Sequence, residues 1–239
     1  MARYDVILLD ADNTLFDFDL AESVALTETL EAFGFPAREP YLSAYHQSNR
    51  GLWDAFERGE IAQESILSGR FQGFLESVDG AGDSVEMNRF YMGALAAQDQ
   101  LYPGALAFCR ELARNYTLAI VTNGVPLVQH RRMDRSPIGE YISGLYVSGD
   151  MGYQKPQRDI FDAVLRDLSI SDRRRVLMVG DSLSSDIRGA ENADIDSLWY
   201  NPRKKSLPKG ITPTYTVSSF EEALALLSAS AKKEAHCHV

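Results

Sequence analysis

The sequence predicts an α/β fold in which a doubly wound parallel sheet forms the core and an all-helical segment is inserted after the first strand. Three observations lead to this prediction. An apolar run, Val6 to Leu9, lies almost at the N-terminus. Helical spacing without a strand candidate follows from about Leu20 to Ala97. Strand-like and helical segments then alternate after Pro103, as in parallel α/β sheets.

The elements can be assigned in chain order. The first strand is predicted at Tyr4 to Asp10, because a short apolar run bounded by polar residues is typical of a buried strand. Breaks at Gly and Pro positions divide the next segment into four helices. These are predicted at Leu20–Phe33, Tyr41–Phe56, Ile61–Glu76 and Ser84–Ala97. Further strands are predicted at Thr117–Thr122, Gly144–Ser148, Val176–Gly180 and Ser197–Tyr200.

This map predicts an α/β core domain at 1–16 and 98–230, and a helical cap domain at 17–97. Residues 231–239 are expected to form a flexible tail, since apolar periodicity ends near Leu227. The tail contains His236, Cys237 and His238, but we do not expect a dedicated metal site there.

Composition limits the function classes. The chain has 239 residues and a formal net charge of −10, which disfavours a partner such as polymeric nucleic acid. Small phosphorylated substrates stay compatible with this charge, because a metal ion or a local pocket can overcome it. Two cysteines without CxxC spacing do not indicate a disulfide framework, and no segment predicts a membrane span. A cytoplasmic protein is therefore expected, with no membrane partner.

Polar residues follow the predicted strands at one edge of the sheet, where ligands of such folds bind. Asp10 and Asp12 follow the first strand, Thr122 and Asn123 end the second, and Asp181 follows "VLMVG", with Asp186 five positions on. Lys155 lies in "GYQKP". Carboxylates suit Mg²⁺, and a hydroxyl, a lysine and the backbone amides around Asn123 and Gly124 suit phosphate. The sequence thus predicts a magnesium and phosphate site.

Four ordered segments, "DADNT", "TNG", "QKP" and "GDSLSSD", resemble the motifs of the haloacid dehalogenase (HAD) superfamily of phosphotransferases. The resemblance extends from Asp10 to Asp186 and implies a Rossmann-like core with a helical cap. It also implies a Mg²⁺-dependent phosphomonoester hydrolase that forms an aspartyl-phosphate.

The resemblance implies a role for each matching residue. Asp10 is expected to be the nucleophile, and Asp12 the general acid and then base, with its backbone carbonyl on the metal. Asp181 is expected to bind Mg²⁺, and Asp186 to support it directly or through water. Thr122, Asn123 and Lys155 are expected to bind the phosphoryl group.

Each residue also has a plainer interpretation. Taken alone, Asp10 and Asp12 would indicate a turn or a helix cap, and Lys155 a surface lysine. Asp186 could instead cap the following helix or pair with Arg188.

Three other functions are alternatives to a phosphomonoester hydrolase. A dehalogenase needs no acid at the position of Asp12, and a phosphomutase would differ in its cap. A non-catalytic binding protein is disfavoured because every motif side chain is present.

Longer segments, among them "NRGLWDAFERGEI" and "RVLMVGDSLSSDIRGAENADIDSLWYN", resemble the branch with bacterial pyrimidine 5′-nucleotidases. The segment "QHRRMDRSPIGEY" departs from the pattern that this branch usually shows in that region.

The branch implies a nucleoside monophosphate substrate. Phe18 and Trp53 are candidates to hold its base, although they could equally be core residues, and we expect Phe16 to be a core residue. Phosphoglycolate or a sugar phosphate is the alternative substrate, and the oligomeric state is left open.

Overall fold

The computed structural model describes residues 4–235, with side chains up to residue 228, so His236 to His238 lie outside the described part. Within it, a six-stranded parallel sheet has the strand order β3-β2-β1-β4-β5-β6. The strands are β1 (Val6–Leu9), β2 (Thr117–Thr122), β3 (Gly144–Val147), β4 (Val176–Gly180), β5 (Asp196–Tyr200) and β6 (Tyr215–Val217).

The predicted α/β class with its doubly wound parallel sheet is confirmed. Five of the strands coincide with predicted ones to within about two residues at each end, whereas β6 was missed. The strand order reverses between β1 and β4, because the chain first proceeds outward through β2 and β3 and then returns to the other side. A reversal of this kind leaves a crevice at the carboxyl ends of the two strands. Here β1 ends at Leu9 and β4 ends at Gly180.

Helices connect and cover the strands. The helices are α1 (Phe18–Ala32), α2 (Tyr41–Glu57), α3 (Gln63–Ser77), α4 (Ser84–Ala96), α5 (Ala105–Leu112), α6 (Pro126–Arg135), α7 (Ser148–Met151), α8 (Arg158–Asp167), α9 (Arg188–Asn192) and α10 (Phe220–Ala235). Short 3₁₀ turns lie at Pro137–Tyr141 and Arg173–Arg175, and a π-helical turn at Leu183–Ile187 precedes α9. The first four helices confirm the predicted ones.

Alternate residues of each strand face opposite sides of the sheet, as strand geometry requires. Ile7 and Leu9 of β1 belong to one buried cluster, with side chains of α5 and α10. Val6 and Leu8 belong to a second cluster, with side chains of α8 and α9. Phe16 is 1% exposed within the first cluster, so the expectation that it is a core residue is confirmed. Both faces of the sheet are therefore covered, as in other parallel sheets.

The chain divides into two compact units. Of the described residues, one unit contains 4–17, 100–126 and 133–235, and the other contains 18–99 and 127–132. In the second unit α2 packs on α3, α1 packs on α4, and α3 packs on α4. Its core is rich in aromatic residues, including Tyr45, Phe71 and Tyr91, whose rings contact each other. Among the described helices, none has the length and apolar character needed to cross a membrane.

Candidate active site

Three carboxylates meet in the crevice between β1 and β4. Asp10 directly follows β1, Asp181 directly follows β4, and Asp186 lies in the π-helical turn. Each offers an oxygen atom that lies within 4.8 Å of the others. The strand order explains this proximity, because β1 and β4 are hydrogen-bonded neighbours, with Leu9 opposite Val179. π-helical turns are rare and frequently occur at functional sites, so the position of Asp186 in such a turn is consistent with a functional site.

Lys155 is buried among these acids. Its side chain is 1% exposed, and Nζ donates to Oδ1 of Asp10, Oδ1 of Asp186 and the carbonyl oxygen of Val121, each at 2.7 Å. An ammonium group has three donors, so all of them are used. Burial alone would lower the pKa of Lys155, but Asp10 and Asp186 outweigh it and the net pKa is raised. Lys155 therefore remains charged, unlike the surface lysine of the plainer interpretation.

The site carries an excess of negative charge. Three carboxylates and one ammonium give a net charge of −2 when all are ionised. Burial raises the pKa of Asp181 to about 8, with Asp10 and Asp186 adding to the effect. Burial also raises the pKa of Asp186, while Lys155 opposes the shift. The oxygen ligands and the charge of −2 both fit a divalent cation such as Mg²⁺, which prefers carboxylates and water.

The hydroxyl of Thr14, a residue with no predicted role, joins the ends of β1 and β4. Thr14 is fully buried, and its Oγ1 donates to Oδ2 of Asp10 at 3.0 Å. The same oxygen accepts from the backbone N–H of Asp181 at 3.1 Å. Lys155 and Thr14 thus hold one carboxylate oxygen of Asp10 each. The signal in the sequence was a hydroxyl residue inside the motif "DADNT", two positions after Asp12.

The other predicted site residues lie at the ends of β1 and β2, at the same edge of the sheet. Thr122 ends β2 and is 1% exposed, and its Oγ1 accepts from the backbone N–H of Gly124 at 3.1 Å. The side chain of Asn123 contacts the backbone of Lys155. Asp12 is half-buried after β1, and its carboxylate is not in the cluster formed by Asp10, Asp181 and Asp186.

Asp186 does not pair with Arg188. Its Oδ1 accepts from Lys155, and its Oδ2 accepts from the backbone N–H of Ser182 at 3.0 Å. Arg188 pairs instead with Glu191 at 2.7 Å. The alternative interpretation, in which Asp186 pairs with Arg188, is therefore wrong. The carboxylate faces inward, toward Lys155, with a relative exposure of 0%.

The two candidate base-binding aromatics lie in the helical unit. Phe18 is the first residue of α1, and the Arg132 guanidinium lies 5.6 Å from the centroid of its ring. Trp53 of α2 is half-buried and packs edge-on against Phe56, with ring centroids 5.6 Å apart. Phe56 is buried, whereas Trp53 and Phe18 each keep an exposed portion.

Glycine is required at position 180 to make room for Asp186. A Cβ atom at Gly180 would lie 2.7 Å from Cβ of Asp186 and still closer to its carboxylate. Real Cβ atoms essentially never approach this closely, so with a side chain at this position either Asp186 or the backbone at residue 180 must shift. The close packing of a buried site leaves little room for such a shift.

We expect Gly180→Ala to lower the melting temperature, because overpacking of a tightly packed interior costs about 1–3 kcal/mol. Thermal unfolding checks this expectation. Gly93→Ala is the matched control, since Gly93 lies in α4 and a Cβ there meets nothing within 4 Å. The control should be neutral or stabilising, as alanine favours a helix over glycine. Equal melting temperatures for Gly180→Ala and the parent protein would show that Asp186 does not require this space.

Comparison with known proteins agrees with the resemblance in the motifs. A family model described as haloacid dehalogenase-like hydrolase matches residues 4–194. The chain is 33% identical over 228 residues to the HAD-hydrolase YfnB of Bacillus subtilis (strain 168), covering 95% of this chain and 97% of that protein. It is 33% identical over 225 residues to the pyrimidine 5′-nucleotidase YjjG of Escherichia coli (strain K12), covering 94% and 98% of the two chains.

Solved structures give the same result for the fold. A crystal structure of YfnB bound to magnesium has a TM-score of 0.88 to this chain at 33% identity, covering 94% of this chain and 99% of that one. A 2-haloacid dehalogenase from Pseudomonas syringae pv. Tomato DC3000 has a TM-score of 0.68 at 22% identity, covering 95% and 99%. At that identity the second match shows a shared fold and nothing about the reaction.

Proposed function

Because this chain belongs to the haloacid dehalogenase-like hydrolase family, we propose that it is a Mg²⁺-dependent phosphomonoester hydrolase. It acts through an aspartyl-phosphate at Asp10, and its substrates are nucleoside 5′-monophosphates, with pyrimidines preferred. Its expected cytoplasmic location is part of the proposal.

The arrangement of Asp10, Asp181, Asp186 and Lys155 is the observation that carries the proposal. A carboxylate that attacks a phosphate ester must approach a group of the same charge, so the reaction needs positive charge at the site. Lys155 supplies one fixed charge beside Asp10, at 2.7 Å. Asp10, Asp181 and the backbone carbonyl of Asp12 would hold Mg²⁺, with Asp186 in support, and the ion would neutralise charge on the phosphoryl oxygens.

In the first step, an oxygen of Asp10 forms a bond to phosphorus while the bond between phosphorus and the ester oxygen breaks. Lys155 and Thr14 fix the plane of the Asp10 carboxylate, since each contacts one of its oxygens. Asp12 gives its proton to the departing ester oxygen. Thr122 contacts a phosphoryl oxygen, and Lys155 does so by exchanging one of its three protein acceptors for a phosphoryl oxygen.

In the second step, Asp12 takes a proton from a water molecule whose oxygen attacks phosphorus. The bond between phosphorus and Asp10 breaks, phosphate leaves, and Asp12 is again protonated. Two acids near one site perform different tasks when their environments differ. The acids differ in this structure, because Asp10 is held by Lys155 and Thr14, whereas the carboxylate of Asp12 lies outside the cluster with Asp181 and Asp186.

The presence of Asp12 favours phosphate esters over halides as substrates. A halide departs as a stable anion and needs no proton, whereas the alkoxide of an unactivated ester does. An acid two residues after the nucleophile is thus useful for ester hydrolysis and superfluous for halide displacement.

Replacing Asp12 by Asn should slow hydrolysis of alkyl phosphates far more than hydrolysis of an aryl phosphate with an activated phenolic leaving group. General acid catalysis of this kind contributes about 10²–10⁴-fold, and an activated phenolate needs little of it. Single-turnover rates of alcohol release on the two substrate types measure the difference, because they isolate the step in which the ester bond breaks. Equal losses on both would mean that Asp12 acts through folding or metal geometry.

Two lines of support favour a pyrimidine nucleotide as substrate. Relatives that match nearly the whole chain are named pyrimidine 5′-nucleotidases, namely YjjG and, at 32% identity, PynA of Streptococcus pneumoniae (strain ATCC BAA-255 / R6), which is matched over 94% of this chain and 95% of its own. Phe18 and Trp53 are half-buried aromatics in the helical unit. Stacking of a base on an aromatic side chain contributes about 1–3 kcal/mol in nucleic-acid-binding proteins.

If Trp53 or Phe18 stacks on the base, alanine at that position should raise KM for nucleotides by about 5- to 150-fold, the equivalent of that stacking energy. KM for a small-alcohol phosphate should not change. Phe56→Ala is the matched control, because Phe56 is the buried partner of Trp53 and should lower the melting temperature without selectivity for nucleotides. A uniform loss on both substrates would identify Trp53 and Phe18 as core residues.

A panel of phosphate esters with Mg²⁺ tests the proposed function as a whole. It should contain pyrimidine and purine nucleoside monophosphates, sugar phosphates and phosphoglycolate, with a haloacid as the negative control. The highest kcat/KM is expected for a pyrimidine nucleotide. Activity on a sugar phosphate or phosphoglycolate without activity on any nucleotide would reject the nucleotidase and leave the phosphatase. Halide release without phosphate release would reject both.

A further inference from the structure

The side chain of Asn123 is joined to the backbone of Lys155 by two hydrogen bonds. The backbone N–H of Lys155 donates to Oδ1 of Asn123 at 2.8 Å, and Nδ2 of Asn123 donates to the carbonyl oxygen of Lys155 at 2.8 Å. The two residues are 32 positions apart in the chain. The carboxamide therefore pairs with both polar groups of one peptide residue, as a neighbouring strand would.

Lys155 depends on this support because of its position. Its Nζ must reach Asp10, Asp186 and the carbonyl of Val121 at the same time, and the side chain is 1% exposed. A lysine has a flexible four-carbon stem, so the location of its charge is defined only if its backbone is fixed. Lys155 lies between α7 and α8 and outside the strands of the sheet, and the carboxamide of Asn123 supplies backbone partners that the sheet does not.

Asn123 connects this support to the end of β2. It directly follows Thr122, whose hydroxyl is a proposed phosphate contact, and the carbonyl of Val121, which precedes Thr122, accepts from Lys155 Nζ. The end of β2 thus contacts Lys155 at both its backbone and its ammonium group. A shift of Asn123 would change the position of the Lys155 charge relative to Thr122 and Asp10.

We propose that Asn123 is a positioning residue whose carboxamide acts through Lys155, an inference that rests on the proposed function. The motif "TNG" predicts Asn123 to be a phosphate-binding residue. The assignment of its side chain changes here, because Oδ1 and one donor of Nδ2 are used by Lys155. The backbone amides near Gly124 keep their proposed role at the phosphate.

We expect Asn123→Ala to lower kcat/KM by about 10- to 100-fold, the loss that follows when a residue that orients a metal ligand is removed. Asn201→Ala is the matched control. Asn201 makes the same pair of bonds, accepting from the backbone N–H of Lys205 at 2.8 Å and donating to its carbonyl at 2.9 Å. Asn201→Ala should lower the melting temperature by a similar amount with a much smaller loss of kcat/KM. Equal kinetic losses in the two variants would overturn the inference.

A double-mutant cycle with Lys155→Met provides the decisive test, because coupled residues show non-additive effects. If Asn123 acts through Lys155, Asn123→Ala should cause no further loss of kcat/KM in the Lys155→Met protein. It should still lower the melting temperature, since the backbone hydrogen bonds do not depend on the side chain at position 155. Additive losses of kcat/KM would overturn the inference and assign Asn123 a separate role.

Lys155→Gln gives a second background that also lacks the ammonium group. Should Lys155→Met not fold, the cycle is measured with this variant, and the same non-additivity is expected. The parent protein is assayed first on the phosphate-ester panel. An inactive parent protein would reject the proposed function, whereas an active parent with an unimpaired Asn123→Ala variant would reject the positioning role alone.

Discussion

Replacing Asp10 by Asn should lower kcat for phosphate-ester hydrolysis by several orders of magnitude. The carboxamide keeps the shape of the side chain but is a far weaker nucleophile toward phosphorus. The variant is expected to fold, because Lys155 retains its bond to Asp186, and loss of one carboxylate reduces the repulsion among Asp10, Asp181 and Asp186. Steady-state kinetics on an aryl phosphate and thermal unfolding, measured together, separate loss of catalysis from loss of structure.

Asp19→Asn is the matched control for this variant. Asp19 is exposed in the first turn of α1, nine positions after Asp10, and undergoes the same chemical change. Its kcat should equal that of the parent protein, because surface substitutions of this kind have small effects. Substantial turnover by a purified Asp10→Asn protein, in a preparation free of other phosphatases, would reject Asp10 as the nucleophile.

Removal of divalent metal should abolish hydrolysis, and Mg²⁺ should restore it. The apparent affinity for Mg²⁺ should rise with pH through about 8, because burial raises the pKa of Asp181 to about 8 in the metal-free protein. Protons and Mg²⁺ compete for the same carboxylate, so metal binding releases protons. Titration of activity with Mg²⁺ at several pH values measures this dependence.

The same pKa shift predicts how the metal-free protein responds to pH. A carboxyl group with a raised pKa in the folded state binds its proton more tightly when folded than when unfolded. Its contribution to stability is present at low pH and is lost as the pH rises through the pKa of the folded state, here about 8. The increase in melting temperature on adding Mg²⁺ should therefore be larger at about pH 9 than at about pH 6.

Asp181→Asn serves as the control, because asparagine does not titrate. In this variant the Mg²⁺-induced increase in melting temperature should differ less between about pH 6 and about pH 9. An Mg²⁺-induced increase that is the same at both pH values in the parent protein would mean that the three carboxylates do not bind the ion as proposed.

Much of the fold could be predicted from the sequence because its signals are local. Apolar runs that end at polar residues predicted five of the strands, and helical spacing between Gly and Pro breaks predicted the four helices α1 to α4 of the second unit. The strand β6 was missed for a physical reason. Tyr215–Val217 is three residues long, shows only partial burial, and pairs with β5 alone at the edge of the sheet. A strand this short is stabilised by pairing with its neighbour more than by its own sequence pattern.

The grouping of site residues was predictable only in part. Parallel strand order predicts that residues after β1, β2 and β4 lie at one edge, and the structure places Asp10, Thr122 and Asp181 there. The inward position of Asp186 and the bridge made by Thr14 were not predictable, because both depend on side-chain packing between distant segments. Asn123 was predicted to bind the phosphoryl group, and its contact with Lys155 has no signature in local sequence.

Detection of a phosphoryl group on Asp10 is the direct test of the proposed aspartyl-phosphate mechanism. Asp12→Asn should accumulate the aspartyl-phosphate when mixed with an activated aryl phosphate and Mg²⁺, since its formation needs little acid catalysis and its hydrolysis needs the base. Acid quenching and mass spectrometry of the peptide that contains Asp10 should find one phosphoryl group, with the amount of phenol released in the initial burst equal to the amount of enzyme. A full burst of phenol with an unmodified Asp10 peptide, or with the phosphoryl group on another residue, would contradict it.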